Sequence, residues 1–141
     1  MNITVTEKIN KIKVDRPEVL AGILRDILSF ESVHDQYKEH FWGVYLDSRK
    51  IIKGIELITL GILDASLVHP REVFAPAISN HAVALIIAHN HPSGSTEASE
   101  ADLLITKRLK EAGELLGITL LDHIIITLNN GYFSFKNRNL I

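Results

Sequence analysis

The passage that most constrains this chain is Val83 to Ile87, Val-Ala-Leu-Ile-Ile, running into Ala88-His89-Asn90-His91-Pro92-Ser93-Gly94. Five apolar residues rich in β-branched side chains have the length of a buried strand. The two histidines follow where that strand is expected to run out. In extended chain, residues two apart project to the same side, so His89 and His91 can point at one centre while Asn90 points away. Pro92 stops the ladder, and Ser93-Gly94 lets the chain turn.

From Ser99 onward Leu103, Leu104, Leu109, Leu115 and Leu116 recur among charged residues, which predicts an amphipathic helix ending at Gly117. Ser99 is placed as its N-cap and Asp102 in its first turn. A carboxylate at a helix start facing two imidazoles at a strand end makes an N,N,O ligand set for a divalent metal. Zinc matches it best, with the fourth position left to water. The same letters have a plainer reading. Ser-x-x-Asp before an apolar helix is also a capping box that only satisfies helix-end N–H groups. Both readings stay open on spacing alone.

Any metal must be held by the seven histidines and the carboxylates, because the 141-residue chain has no cysteine. Disulfides, thiolate nucleophiles and Cys-ligated zinc are excluded together. Residues 1–141 read as a single domain, long enough to bury a core without staples. Fifteen Lys and Arg against 17 Asp and Glu leave a net charge of −2, so no global basic field recruits nucleic acid. The start of the chain lacks the apolar block of a signal peptide, and no apolar run approaches membrane-spanning length. The expected location is the cytoplasm, with no membrane partner.

Residues 1–13 alternate weakly and suit an edge strand or an ordered arm. Asp15, Pro17 and Glu18 mark a helix start, followed by the stripe Val19, Leu20, Ile23, Leu24, Ile27 and Leu28. Residues 29–38 read as a connector. Residues 39–46 form an aromatic-rich strand, 47–50 a turn, and 51–60 the hairpin partner. A further short strand is expected over 61–68. His69-Pro70-Arg71-Glu72 opens a second helix, with Val73, Phe74, Ala77 and Ile78 facing the core and Pro76 awkward inside it. Residues 118–127 are strongly β-forming, Asn129-Asn130-Gly131 is read as a hairpin turn of the primed type, and 132–135 as the return strand. Strands mixed with three helices predict an α/β sandwich with a mixed sheet.

These words together resemble a known family. His89-x-His91-Pro92 with Ser99 and Asp102 at their spacing resembles the JAMM motif of the JAB/MPN+ metalloproteases. His69 to Phe74, His89 to Gly94 and Leu121-Asp122-His123-Ile124-Ile125 resemble its RadC branch. The resemblance covers residues 39 to 135 and implies a mixed sheet flanked by helices, a three-layer sandwich laid out like the cytidine deaminases. Full-length RadC-like proteins carry an N-terminal helix-hairpin-helix region, which is not expected in the stretch before Asp15, so that DNA contact by such a region is not implied. Ubiquitin-gripping insertions are also lacking.

The resemblance implies Zn2+ held by His89, His91 and Asp102, and hydrolysis of a peptide or isopeptide bond in a peptide or protein substrate. It requires an upstream glutamate as general base. Glu39, followed by an apolar strand, matches that place better than Glu72, whose position at a helix start suits capping or a surface ion pair. Ser99 would donate to the developing oxyanion. His123 is expected to be a buried imidazole bonded to a neighbouring carboxylate or carbonyl, with the orienting of a metal ligand as the alternative, and His34, His40, His69 and His81 to be surface or packing residues. Phe41, Trp42 and Tyr45 belong to the core and sheet face. Lys107, Arg108 and Lys110 belong to a solvated helix face. The rival functions are a DNA-repair or nucleic-acid-processing factor, which the charge balance disfavours, and a catalytically silent interaction module.

Overall fold

The computed structural model of the chain describes residues 9–64 and 66–141. Most of the N-terminal stretch expected as strand or arm lies outside them. Lys13, at its end, makes an isolated antiparallel bridge to Ile51. Pro17, whose ring presets helical φ and whose missing N–H is no loss in a first turn, opens α1 (Pro17–Ser29). The cap position is Arg16 rather than Asp15, and no side chain caps it. The connector holds a short helix, α2 (Val33–Gln36), capped by Ser32. The remaining elements are β1 (His40–Leu46), β2 (Ile52–Leu60), α3 (Pro70–Ser79), β3 (Ala84–Asn90), α4 (Glu100–Leu116), β4 (Thr119–Ile126) and β5 (Tyr132–Ser134).

The sheet order is β2-β1-β3-β4-β5. Only β3 and β4 run parallel, joined by α4, and the other pairs are antiparallel, so the sheet is mixed as expected. Alternation along the strands divides the core into two layers. Trp42, Val44, Leu46, Ala84, Ile86, Ala88, Ile124 and Ile126 pack with Leu20, Leu24 and Leu28 of α1. Phe41, Tyr45, Leu85, Ile87 and Leu120 pack with Val73, Phe74 and Ala77 of α3 and with Ile105 and Leu109 of α4. The result is an α/β sandwich in three layers, with helices on both faces of the sheet. Among the described residues, no helix is long and apolar enough to cross a membrane.

Four local expectations are corrected. Over the expected strand at 61–68, residues 61–64 and 66–68 form bends, turns and irregular chain instead, and residue 65 lies outside the described residues. Asp64 takes the Ser66 N–H and hydroxyl into its carboxylate, and Ile62 and Leu67 stay exposed. In α3, Ile78 is exposed, and the buried face is Val73, Phe74 and Ala77. In α4, Leu103, Leu104, Leu115 and Leu116 are exposed, and the buried stripe is Asp102, Ile105, Thr106, Leu109 and Gly113. Finally, the β4–β5 hairpin is no primed turn, which needs positive φ at both central residues. Asn130 is left-handed (φ 70°) but Gly131 is not, and Thr127 N–H donates to Gly131 O at 3.0 Å. That is the three-residue hairpin with one left-handed position.

One irregularity in β4 matters for the site. Its register with β3 runs Leu85 to Leu120 and then Ile86 to Asp122, so Leu121 is an extra residue, a β-bulge. Simple alternation from Leu120 would put His123 on the α1 face. The bulge reverses the phase, and His123 faces α4 together with Leu120.

At Gly113 the chain leaving α4 folds back onto the helix, so that Ile118 N–H donates to Gly113 O at 2.9 Å and a Cβ at Gly113 would collide with the Ile118 carbonyl oxygen. Helix propensity alone favours alanine over glycine by about 1 kcal/mol, while overpacking against a fixed backbone costs about 1–3 kcal/mol. Gly113→Ala should therefore lower the urea midpoint, and a raised midpoint would mean that the turn at Ile118 gives way freely.

Candidate metal centre

β3 continues through His89 and Asn90, so His89 lies inside the strand rather than past its end, paired across from Phe41 of β1 and Ile125 of β4. Its side chain continues the row of Leu85 and Ile87 on the α4 face and is 1% exposed. His91 lies just beyond, with its N–H donated to Ile126 O at 2.9 Å. Asp102 sits in the first turn of α4 on the inner stripe, also 1% exposed.

Asp102 serves both readings of its motif at once. Ser99 Oγ accepts from Asp102 N–H (3.1 Å), and Asp102 Oδ2 accepts from Ser99 N–H (2.8 Å), a complete capping box. The carboxylate that closes the box also reaches the histidines. Asp102 Oδ1 is 3.0 Å from His89 Nε2, and Oδ2 is 3.3 Å from His91 Nε2. The two Nε2 atoms are 2.7 Å apart. Ring nitrogens at that separation repel unless a proton or cation lies between them, and one carboxylate closes the set. His91 Nδ1 donates to Ser95 O at 2.9 Å, which leaves Nε2 as the ligand nitrogen of the neutral ring. The three ligand atoms lie within 4.8 Å of one another. His89, His91 and Asp102 can hold a metal ion.

The electrostatics match. The hydrogen bond to Asp102 raises the His91 pKa above its ordinary value, against a desolvation penalty. Burial opposes ionisation of Asp102, but the facing imidazoles of His89 and His91 and the hydrogen bond from Ser99 N–H outweigh it and hold the carboxyl far below the usual range.

Glu39, His91, Ser95, Glu97 and Ser99 line one cleft of about 430 Å³ beside the cluster. Leu63 N–H holds Glu39 Oε2 at 2.5 Å. Glu72 lies exposed in the first turn of α3. Asn90, between the two histidines, points to the other side as expected and grips the chain around Glu39. Its Oδ1 accepts from His40 N–H (2.5 Å) and its Nδ2 donates to Lys38 O (3.0 Å). The amide thus anchors the residues on either side of Glu39, a role that spacing could not reveal because the contact spans 50 positions.

His123 departs from the first expectation. Its backbone N–H takes the Asp122 carboxylate, but its ring meets neither a carboxylate nor a carbonyl. Nε2 is 2.9 Å from His89 Nδ1, and Nδ1 is 2.6 Å from Thr106 Oγ1, whose hydroxyl is 2.7 Å from Asp102 O. Complete burial, with no carboxylate against the ring, pushes the His123 pKa well below its ordinary value.

The model of the RadC-like JAB domain matches residues 14–140. The chain belongs to this family. This RadC-like JAB domain is 41% identical to a "UPF0758 protein" of Alkaliphilus metalliredigens over 139 residues, covering 99% of the chain and 57% of the relative. It is 44% identical to that of Alkaliphilus oremlandii over 139 residues, again 99% and 57%. The Chlorobaculum tepidum protein of the same name is 44% identical over 119 residues, 83% of the chain and 53% of the relative. The RadC-like domain thus spans a little over half the length of the curated relatives it matches, and their printed names carry no activity.

Two outcomes are expected from the geometry. Purified protein should hold about one zinc per chain, and His91→Ala should release it while the domain stays folded, as read by metal analysis and circular dichroism. In the metal-free protein the raised His91 pKa stabilises the fold fully below the unfolded histidine value of about 6.5 and ceases to do so as pH rises through the folded value. The stability difference between wild type and His91→Ala should therefore be larger at pH 5.5 than at pH 8.5. Zinc affinity should run the other way, because a proton on His91 must leave. A difference independent of pH would remove the His91–Asp102 pair from the argument.

Proposed function

We propose that this domain is a zinc-dependent hydrolase of the JAMM type that cleaves a peptide or isopeptide bond. The observation that carries the reading is that Glu39, His91 and Ser99 line one cleft, with His91, His89 and Asp102 converging at its wall. A divalent ion bound there supplies Lewis acidity and lowers the pKa of a water from 15.7 to about 7. Every other step falls to the chain. Leu63 N–H fixes one Glu39 oxygen and leaves the other to take a proton from the attacking water and return it to the leaving amine. Ser99 Oγ already accepts from Asp102 N–H, so its own proton is directed away from the helix, where it can donate to the oxyanion.

A second hollow of about 410 Å³ adjoins the first and shares Glu39, Pro92 and Ser93 with it. It runs on past Tyr37 and Ile62, both largely exposed. A continuous trough of this kind suits an extended polypeptide substrate. Glu39 and Glu97 on its wall weigh against a polyanion, and Lys38 is already paired with Asp35 at 2.8 Å. The same reading puts the protein in the cytoplasm, supported by a cysteine-free chain that needs no oxidising compartment.

Glu39→Gln should keep zinc bound and abolish turnover of a substrate found by screening peptide and isopeptide libraries. Glu72→Gln should stay within a few-fold of wild type. The reverse pattern would move the base to Glu72. Ser99→Ala should cost about 0.5–2 kcal/mol of stability through the lost cap and about two to three powers of ten in turnover through the lost oxyanion donor. Unchanged turnover would leave Ser99 with the cap alone.

A further inference from the structure

We propose that Thr106 and His123 are positioning residues that hold His89 in the one tautomer able to bind a metal ion. The inference rests on the metal-site reading above. Its warrant is a chain of hydrogen bonds in which the direction of each bond follows from the one before.

The chain starts at the Asp102 carbonyl, which can only accept. Thr106 Oγ1, 2.7 Å away and four residues on in the same helix, gives it its proton in the usual back-bond of a helical threonine. A hydroxyl has one proton, so toward His123 Nδ1, at 2.6 Å, Thr106 Oγ1 must accept. His123 therefore carries its proton on Nδ1. A neutral ring then presents a lone pair at Nε2, and His89 Nδ1, 2.9 Å away, donates to it. The proton of His89 is thereby committed to Nδ1. Its Nε2 is left as a lone pair facing His91 Nε2 and Asp102 Oδ1.

The rings cannot escape this arrangement by turning. Phe135 stacks on His123 at 4.4 Å and 17°, and Phe41 meets it edge-on at 6.2 Å. Thr106, His123 and His89 are 3%, 0% and 1% exposed, so water does not offer a competing partner. The relay also closes on itself. It begins at the main chain of Asp102 and ends at the histidine that faces the Asp102 side chain, so that one residue of α4 sets both the ligand oxygen and the proton placement of the ligand nitrogen.

Thr106→Val removes the acceptor with little change of volume, and Thr106→Ser restores it. Two readouts apply. Zinc affinity, measured by competition with a chromophoric chelator, should fall about 10–100-fold in Thr106→Val and return in Thr106→Ser. Independently of zinc, long-range proton–nitrogen NMR of the metal-free protein should show His123 as the Nδ1–H form in wild type and Thr106→Ser, and a shift toward Nε2–H in Thr106→Val. A merely structural role for Thr106 would change the unfolding midpoint without moving the tautomer. His123 protonated on Nε2 in the wild type overturns the inference, whether or not zinc binds. Equal zinc affinity in wild type and Thr106→Val, with His91→Ala unable to bind, also overturns it while leaving the metal site in place. Zinc absent from the wild type would instead count against the metal-site reading, and the tautomer would still decide this one.

Discussion

The centre depends on β3 being locked between two neighbours. β3 is hydrogen-bonded to β1 on one side and β4 on the other, and all seven of its residues are buried. Because side chains alternate with period two, a slip of one residue would move Leu85 and Ile87 to the α1 face and His89 with them. Such a slip is prohibited by the apolar side chains on both layers, at about 1.5–3 kcal/mol for each large one exposed. The polar site thus takes its precision from an apolar constraint.

Against that sheet, α4 brings a stripe that is only partly apolar. Asp102 and Thr106 occupy the buried face beside Ile105 and Leu109, while four leucines of the same helix stay outside. Burying a carboxylate and a hydroxyl is costly unless each is bonded, and here each is. Asp102 meets Ser99 and both histidines, and Thr106 bridges Asp102 to His123. The capping box and the metal-ligand reading of Ser99-x-x-Asp102 are therefore one arrangement. The cap orients the carboxylate, and the oriented carboxylate faces the imidazoles.

Residue spacing made some of this legible. The continuous apolar run before His89, the helical run after Ser99 and the aromatic strand after Glu39 each carry a local signal, and each element formed. Where a second signal competed, local reading failed. Residues 61–68 have strand-like letters, but among the described residues 61–64 and 66–68 none joins the sheet, and Asp64 takes the Ser66 N–H instead. Four of the five leucines of α4 lie off its inner stripe, so hydrophobicity pointed to the wrong face.

By itself the sequence determined which residue types could converge: two imidazoles two apart on one side of a strand, and a carboxylate in the first turn of the next helix. It also determined that cysteine has no part. Only the tertiary structure decided what surrounds them. The bulge at Leu121 sets His123 on the α4 face, and nothing in Leu121-Asp122-His123 signals it, because a bulge is a property of two strands in register. Likewise Asn90 grips residues 38 and 40, and Thr106 reaches His123, across separations that no local periodicity spans. Ligand identity is written in short-range spacing, whereas the proton and chain positions that make the ligands usable are fixed by long-range packing.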